Sequence, residues 1–501
     1  MSATITDILK TDMLKTIFDK TQNVNVAIGD SDRHYIAIGR SEDWTVEATP
    51  PIPYSDNDTS DTFRSSIQSM KLVPDVSYVV PRFSWVSGNF YEAWSPEFGS
   101  NTEVINGVTP TSASIPNPYY VLTDDNNVFV CIQQGKTATG SARASIHKPI
   151  DTTGAVFFAG GDGYFWKFLY NIGAAEARKF LTSTYMPVER IVDVAAGGPV
   201  DEDLSVSRLQ QRGIQGLAIP GQIIGIAVDD PGTNYSATPT ITIHGRARQG
   251  VSLTPANTAL ATANVEGGLI TSVVMKSDPA NTTFDFGRDY ADASVSIADG
   301  TGSGAVLRAL ISTDSGMGGN AILDLSASAM MFNTQLSGAE NADFQVNNQF
   351  RQIGIIRNPL KDSAQYGSFV ETAPATSATL SAFKRLHVIG TNLAPENITG
   401  DQIITQETTG SAAVIDYYDT VAGIMYVHQT RETGFRIFDS NYSCNVSGGG
   451  GSTTPVSIAG QYVLRPSEVD VYSGEVIYID NRVAVSRDND QTEDIKVVVD
   501  L

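Results

Sequence analysis

The chain opens with apolar residues at helical spacing. Ile5, Ile8, Leu9, Met13, Leu14, Ile17 and Phe18 recur three and four apart with charges between them. That spacing predicts an amphipathic helix of about four turns, capped by Thr4 or Thr6. Beyond it the apolar runs shorten and are split by turn residues. "HYIAIGRSEDW" reads as a strand ending at Gly39, "SYVVPRFSW" as another, and "YYVLTDDNNVFVCIQ" as a hairpin with Asp124 to Asn127 at its tip. "GYFWKFLYNI" continues the β pattern, and "GAAEARKFLTSTYMPV" predicts a short helix ended by Pro187.

Residues 215–312 carry an internal repeat. "GQIIGIAVDDPGTNYSATPTITIHG" is echoed about 55 residues later by "GLITSVVMKSDPANTTFDFGRDYADASVSIADG". In each copy a tyrosine (Tyr235, Tyr290) precedes an alternating strand and a glycine follows ten residues on (Gly245, Gly300). An alanine-alternating run, "ALATANV" or "GAVLRALI", closes each copy. Two units are too few for a solenoid, so they are expected to pack as one inserted module. Residues 313–349 read as looser, with "TDSGMGGN" as a linker, before the strand "FRQIGIIRNPL" is stopped by Pro359. Short, evenly spaced strands from Leu386 to Phe438 predict a small barrel or sandwich, closed by "VSGGGGSTTP" as a flexible loop. The terminal "SGEVIYIDNRVAVSRDNDQTEDIKVVVDL" returns to strands, with a turn at Asp480 and Asn481.

These elements predict a mainly β fold, α+β with few short helices. Its core would be a multidomain sandwich or barrel, over residues 1–214, 313–375 and 461–501, interrupted by β modules at 215–312 and 376–460. Composition agrees: 44 glycines and 19 tyrosines favour turn-rich β structure, and 41% hydrophobic residues suffice to bury cores. With 55 acidic against 33 basic residues the net charge of −22 argues against nucleic acid and anionic membranes as partners. No apolar run reaches the roughly 18 residues that span a bilayer, and the N-terminus does not read as a secretory signal. Cys131 and Cys444, far apart in sequence, are expected to be reduced core thiols, as in a chain folded in a cytoplasm.

Candidate chemistry is sparse. In "GGDGYFWKFLYNI", residues 160–172, the glycines could cradle a phosphate only if a helix N-terminus followed. Tyr, Phe and Trp follow, which favour a strand, so the block reads as a tight turn. Gly160, Gly161 and Gly163 would supply unusual φ, Asp162 would bond local amides, and Trp166 would be buried. "QQGKTATG" has Val130 where a P-loop needs glycine, which leaves Lys136 a loop lysine, and "GTGSG" lacks the last glycine of a dinucleotide fingerprint. His34, His147, His244, His387 and His428 do not pair at ligand spacing and read as solvated or half-buried. Asp488, Asp490, Thr492 and Asp494 resemble half a calcium loop, but Glu493 replaces its glycine and Val499 its closing glutamate. No nucleophile elbow occurs. No catalytic, cofactor-binding or metal residue is expected.

Five blocks in order, "YIAIGRSEDW", "VVPRFSW", "DGYFWKFLYNI", "FRQIGIIRNPL" and "SGEVIYIDNR…DQTEDIKV", resemble the baseplate wedge subunit encoded by gene eight of T-even-type contractile-tailed phages. The matching positions are Gly39, Arg40, Trp44, Pro81, Arg82, Arg351, Asn358, Pro359, Asn481 and Arg482, while Gly161, Asp162, Gly163 and Trp166 are the structural turn and strand residues of the glycine block. The resemblance covers about half the chain, near 25–200, 345–360 and 470–501, and the two inserted modules are extra. It implies a non-enzymatic virion protein without cofactors: a homodimer that links neighbouring wedge subunits, assembles in the host cytoplasm and moves as a rigid body when the tail contracts. Trp44, Trp85, Trp94 and Trp166 are expected in cores more than contacts. One rival is a host-surface glycan or receptor binder acting through the inserted modules, which would need exposed aromatic platforms, whereas those modules are rich in Ala, Thr and Gly. The other, a tail-associated hydrolase, would need carboxylates converging in a groove.

Overall fold

In a computed structural model the chain is mainly β, its strands arranged in several antiparallel sheets. The structure describes residues 7–22, 31–96, 118–137, 140–189, 191, 205–236, 239–253, 258–275, 285–337, 348–361, 374–456, 463–465, 467–487 and 491–501. The chain divides into two compact units, one of Met1–Thr16, Ser77–Met331 and Val498–Leu501, the other of Ile17–Val76 and Phe332–Val497.

In the first unit, Tyr120–Leu122, Asn127–Gln133, Phe165–Asn171 and Val156–Phe158 form a sheet in that order. Period-2 alternation at the start of "FWKFLYN" sends Trp166 and Phe168 to one side, into one buried cluster, while Tyr170, beyond a register shift and opposite Val128, is buried apart from them. Trp166 faces Cys131 across the ladder and meets Tyr91 edge to face at 5.5 Å. Each such side chain withdrawn from water contributes roughly 1.5–3 kcal/mol. Ile214, from the helix Val206–Gly216, joins this cluster.

The repeat folds in the same unit as two copies that exchange strands. Their first strands, Ile223–Thr233 and Leu269–Met275, pair at Ile226 and Val273. Their second strands, Thr240–Ala247 and Tyr290–Ala298, pair along their length. The third strands cross over: Ala263 of copy one faces Val273 of copy two, and Ala309 of copy two faces Ile226 of copy one. Both crossings carry a register shift at matching places, Asn264/Val265 and Leu310/Ile311. The repeat tyrosines cross over too. Tyr235 Oη accepts from Ala305 N at 3.2 Å, and Tyr290 Oη from Ala259 N at 3.0 Å. Neither copy completes its own sheet.

In the second unit a five-stranded sheet runs Thr379–Ser381, Ile67–Leu72, His34–Gly39, Asn348–Arg357, Glu475–Arg487. All six residues of "HYIAIG" are buried, as in a central strand covered on both faces. A polar helix, Asn57–Ser66, starts at Asp56, whose side chain accepts from Thr59 N at 2.7 Å, and it inserts Phe63 into the core. Seven further strands form another sheet of this unit. Six of them close a barrel, because Lys384–Leu393 pairs with Ile424–His428 as well as with Gly451–Pro455. Closure removes the exposed edges that an open sheet of this length would present. Leu386, Ile404, Ile415, Met425 and Val427 fill it.

Several expectations need correction. The first helix spans Asp7–Thr21, with Leu14 buried while Leu9 and Met13 are about half exposed, so its buried stripe is narrow. Thr4 and Thr6 lie outside the described residues. The helix Ala174–Phe180 ends well before Pro187, which sits in the strand Tyr185–Val188 opposite Val79. Within the segment expected to be loose, Ala329–Ser337 is a strand with Met330, Met331 and Phe332 buried, and residues 338–347 lie outside the described residues. "VSGGGGSTTP" is a tight turn through Ser447–Gly449 between two barrel strands, since ladder bonds on both sides leave it no slack. Asp480 and Asn481 form no turn: Glu475–Arg487 runs through them as one strand. The acidic residues Asp488 and Asp490 lie outside the described residues.

Candidate functional site

The ladder between Asn348–Arg357 and Glu475–Arg487 jumps from Phe350↔Val485 to Gln352↔Asn481. Residues 482–484 thereby lose their ladder partners, and the loop after Gly39 supplies others. Trp44 Nε1 donates to Arg482 O at 2.8 Å, and Glu47 Oε1 accepts from Ala484 N at 3.0 Å. Arg351, opposite the gap and 3% exposed, donates to Glu47 Oε1 at 2.8 Å, to Gln349 Oε1 at 2.9 Å, and to Asp43 and the Ser41 carbonyl. Desolvation would push Glu47 up, but the Trp44 and Ala484 N–H groups and Arg351 hold it below the usual carboxylate range. The Arg40 guanidinium lies 4.0 Å from the centre of the Trp44 ring. Asn481 donates to Pro51 O and accepts from Gln352 Nε2, both at 2.8 Å. Gly39 ends its strand at a bulge where a Cβ would lie 2.6 Å from the Ser66 carbonyl.

The next turn of that loop reaches the barrel. His428, on Ile424–His428 and 4% exposed, has Nδ1 2.7 Å from Asp416 Oδ2 and Nε2 3.0 Å from Glu42 Oε1. Ser41 Oγ donates to the other Asp416 oxygen at 3.2 Å. Burial alone would push the imidazole down, but the two carboxylates outweigh it and raise the group to about 10. Glu42, which burial would raise, is pulled down to about 2 by His428. Burial pushes Asp416 up, and the imidazolium opposes that shift. An imidazolium with both nitrogens held this way has no lone pair for proton abstraction, and Ser41 bonds the acid and not the imidazole. The cluster is an ionic clasp.

Beside the clasp lies a groove of about 960 Å³. Phe435 and Tyr472 stand in its wall, 50% and 47% exposed, their rings 6.2 Å apart and edge to face. Ile403 and Ile437 add half-exposed aliphatic surface, and Asp61, Glu432 and Asp470 add carboxylates.

In the first unit the glycine block is a turn. Asp162, 1% exposed, accepts from the N–H groups of Ile146 at 2.8 Å, His147 at 3.0 Å and Tyr164 at 3.2 Å. Only Gly163 has positive φ (85°), which corrects the expectation for its neighbours. Gly160 is needed for close approach instead, since a Cβ would lie 2.4 Å from the His147 ring, and nothing in the structure explains Gly161. Arg82 Nη1 donates to Thr182 O at 2.9 Å, and Pro81 O accepts from Tyr120 Oη at 2.9 Å.

The structure therefore gathers Gly39, Arg40, Trp44, Arg351, Asn481 and Arg482 into one knot. Asn358 sits just beyond the far end of the Arg351 strand, before Pro359, accepting from Arg33 N at 2.8 Å. Pro81, Arg82 and the glycine block belong to the other unit. Trp94 and Trp166 are buried, Trp44 and Trp85 half-buried. Both cysteines are free and buried. His34 and His428 are buried, contrary to expectation. Sequence reading missed Glu42, Glu47 and Asp416 and took His428 for a solvated or half-buried residue, and no spacing signal could join Glu42 to a histidine 386 residues away. Among the described residues no group of three or more His, Cys, Asp or Glu is placed to hold a metal ion, and no helix is long and apolar enough to cross a membrane. No family model and no curated protein matches this chain.

Proposed function

We propose that the chain is a structural wedge protein of a contractile-tail baseplate, acting as a homodimer that links neighbouring wedge subunits. The observation that carries the reading is the Arg351 knot. Residues from three of the five family-like blocks, separated by hundreds of positions, interlock there by hydrogen bonds to backbone. Such bonding suits a rigid body: a buried guanidinium with several acceptors cannot shift without leaving charge unpaired. Stiff cores and exchangeable outer surfaces are what a subunit needs if it is to move intact while its contacts change. Light scattering on the purified chain should give twice the monomer mass, and mixing with the other wedge subunits should yield a larger complex. A strict monomer that enters no wedge intermediate refutes the proposal.

A further inference from the structure

We infer that the groove between the barrel and the sheet of the second unit binds a neutral saccharide. Phe435 lies in the loop after Ile424–His428, and Tyr472 in the turn after Val469–Asp470. Both are about half exposed, and both line the same cavity. Large aromatic side chains left facing water beside polar groups offer an apolar platform with a wet rim. A pyranose ring matches that pairing, because its C–H face is apolar while each hydroxyl both donates and accepts. Acceptors are at hand in Asp61, Glu432 and Asp470, and hydroxyls in Thr62 and Thr430.

Charge narrows the ligand further. All three cations lining the groove are already engaged: Arg431 pairs with Asp58 at 2.7 Å, Arg40 lies on Trp44, and Lys384 donates to Gln429 Oε1 at 3.1 Å with its ammonium 6.0 Å from the centre of the Phe435 ring. The carboxylates exceed them, and the chain carries −22 overall, so sialylated or uronic-acid sugars are disfavoured. A purely apolar peptide would desolvate those carboxylates with nothing to bond them, whereas sugar hydroxyls donate to them.

The site is independent of the wedge assignment, and its test requires no assembly. The purified full chain is titrated calorimetrically with maltohexaose, cellohexaose and N-acetylchitohexaose. Sialyllactose and a Lys-Leu-Trp-Leu-Lys peptide serve as competing classes. At least one neutral oligosaccharide should bind, with affinity lowered about tenfold or more by Tyr472→Ala and by Phe435→Ala. Tyr54→Ala, which removes an aromatic side chain 76% exposed and outside the groove lining, should leave binding unchanged. Melting curves confirm that each variant folds, and Glu432→Gln provides a second, milder loss of affinity. Failure of every neutral oligosaccharide to bind at millimolar concentration overturns the inference. So does preference for the peptide or the sialylated sugar, or binding that survives both aromatic replacements.

Discussion

Replacing His428 with leucine tests the clasp directly. The imidazolium is the group that both Asp416, with no exposed side-chain surface, and Glu42, 29% exposed, share. Its loss leaves two neighbouring carboxylates without their common counter-charge in a desolvated site. Removing one member of a buried ion pair costs about 3–5 kcal/mol. The proton balance leads to a similar figure. An imidazole raised from 6.5 to about 10 binds its proton more tightly in the folded chain, which is worth about 5 kcal/mol. That contribution is complete below about pH 6.5 and is lost as pH rises through about 10. Urea unfolding followed by circular dichroism should therefore show His428→Leu destabilised by about 3–5 kcal/mol at neutral pH, with the gap to wild type closing toward pH 10. The double variant His428→Leu/Asp416→Leu should recover part of the loss, because the fully buried carboxylate is then gone and only the partly exposed Glu42 is left without its counter-charge. A loss under about 1 kcal/mol, or a gap that does not change with pH, refutes the clasp.

Further outcomes follow from other sites. Burial raises Asp324 to about 7 against the bonds from Thr313 and Gly318 and the charge of Lys167, so the folded chain keeps a proton that the unfolded chain releases near 3.8. Stability should fall as pH rises from about 4 to about 7, and Asp324→Asn should flatten that slope in melts across the range. Gly163→Ala, at φ 85° and with its Cβ 3.1 Å from Gly135 Cα, should cost about 1–2 kcal/mol by urea titration, whereas Gly161→Ala should be nearly silent. Tyr290→Phe should cost about 1–3 kcal/mol by leaving Ala259 N unbonded in a buried site, and Tyr235→Phe a similar or smaller amount at the less buried Ala305. Equal stability of both variants and wild type would show that the crossed tyrosines hold nothing together.

The legible parts of this fold were local. "HYIAIG", "NVFVCIQ" and "FWKFLYN" are strands where alternation or continuous apolar character announced them, and the hairpin tip at Asp124 to Asn127 follows turn chemistry. Local signals also misled. The helix Asn57–Ser66 escaped notice because "NDTSDTFRSS" shows one buried aromatic and no apolar stripe, although Asp56 is a recognisable cap. The glycine run at 447–451 looks like a flexible linker in isolation, and flanking ladder bonds make it a turn. Asp480 and Asn481 look like a turn, but pairing with Asn348–Arg357 keeps them extended.

Period, turn residues and composition determined by themselves that this chain is β-rich, that 215–312 holds a doubled unit, and that no familiar catalytic motif is present. These are properties of neighbours in sequence, a few residues apart, and they are written in spacing. Tertiary structure alone decided that the two copies trade their third strands, that the barrel closes on Lys384–Leu393, and that Glu42 finds His428. Each of those depends on which distant segments lie side by side. A strand's hydrogen-bonding edge is the same whatever its partner, and a carboxylate's charge does not name its counter-ion.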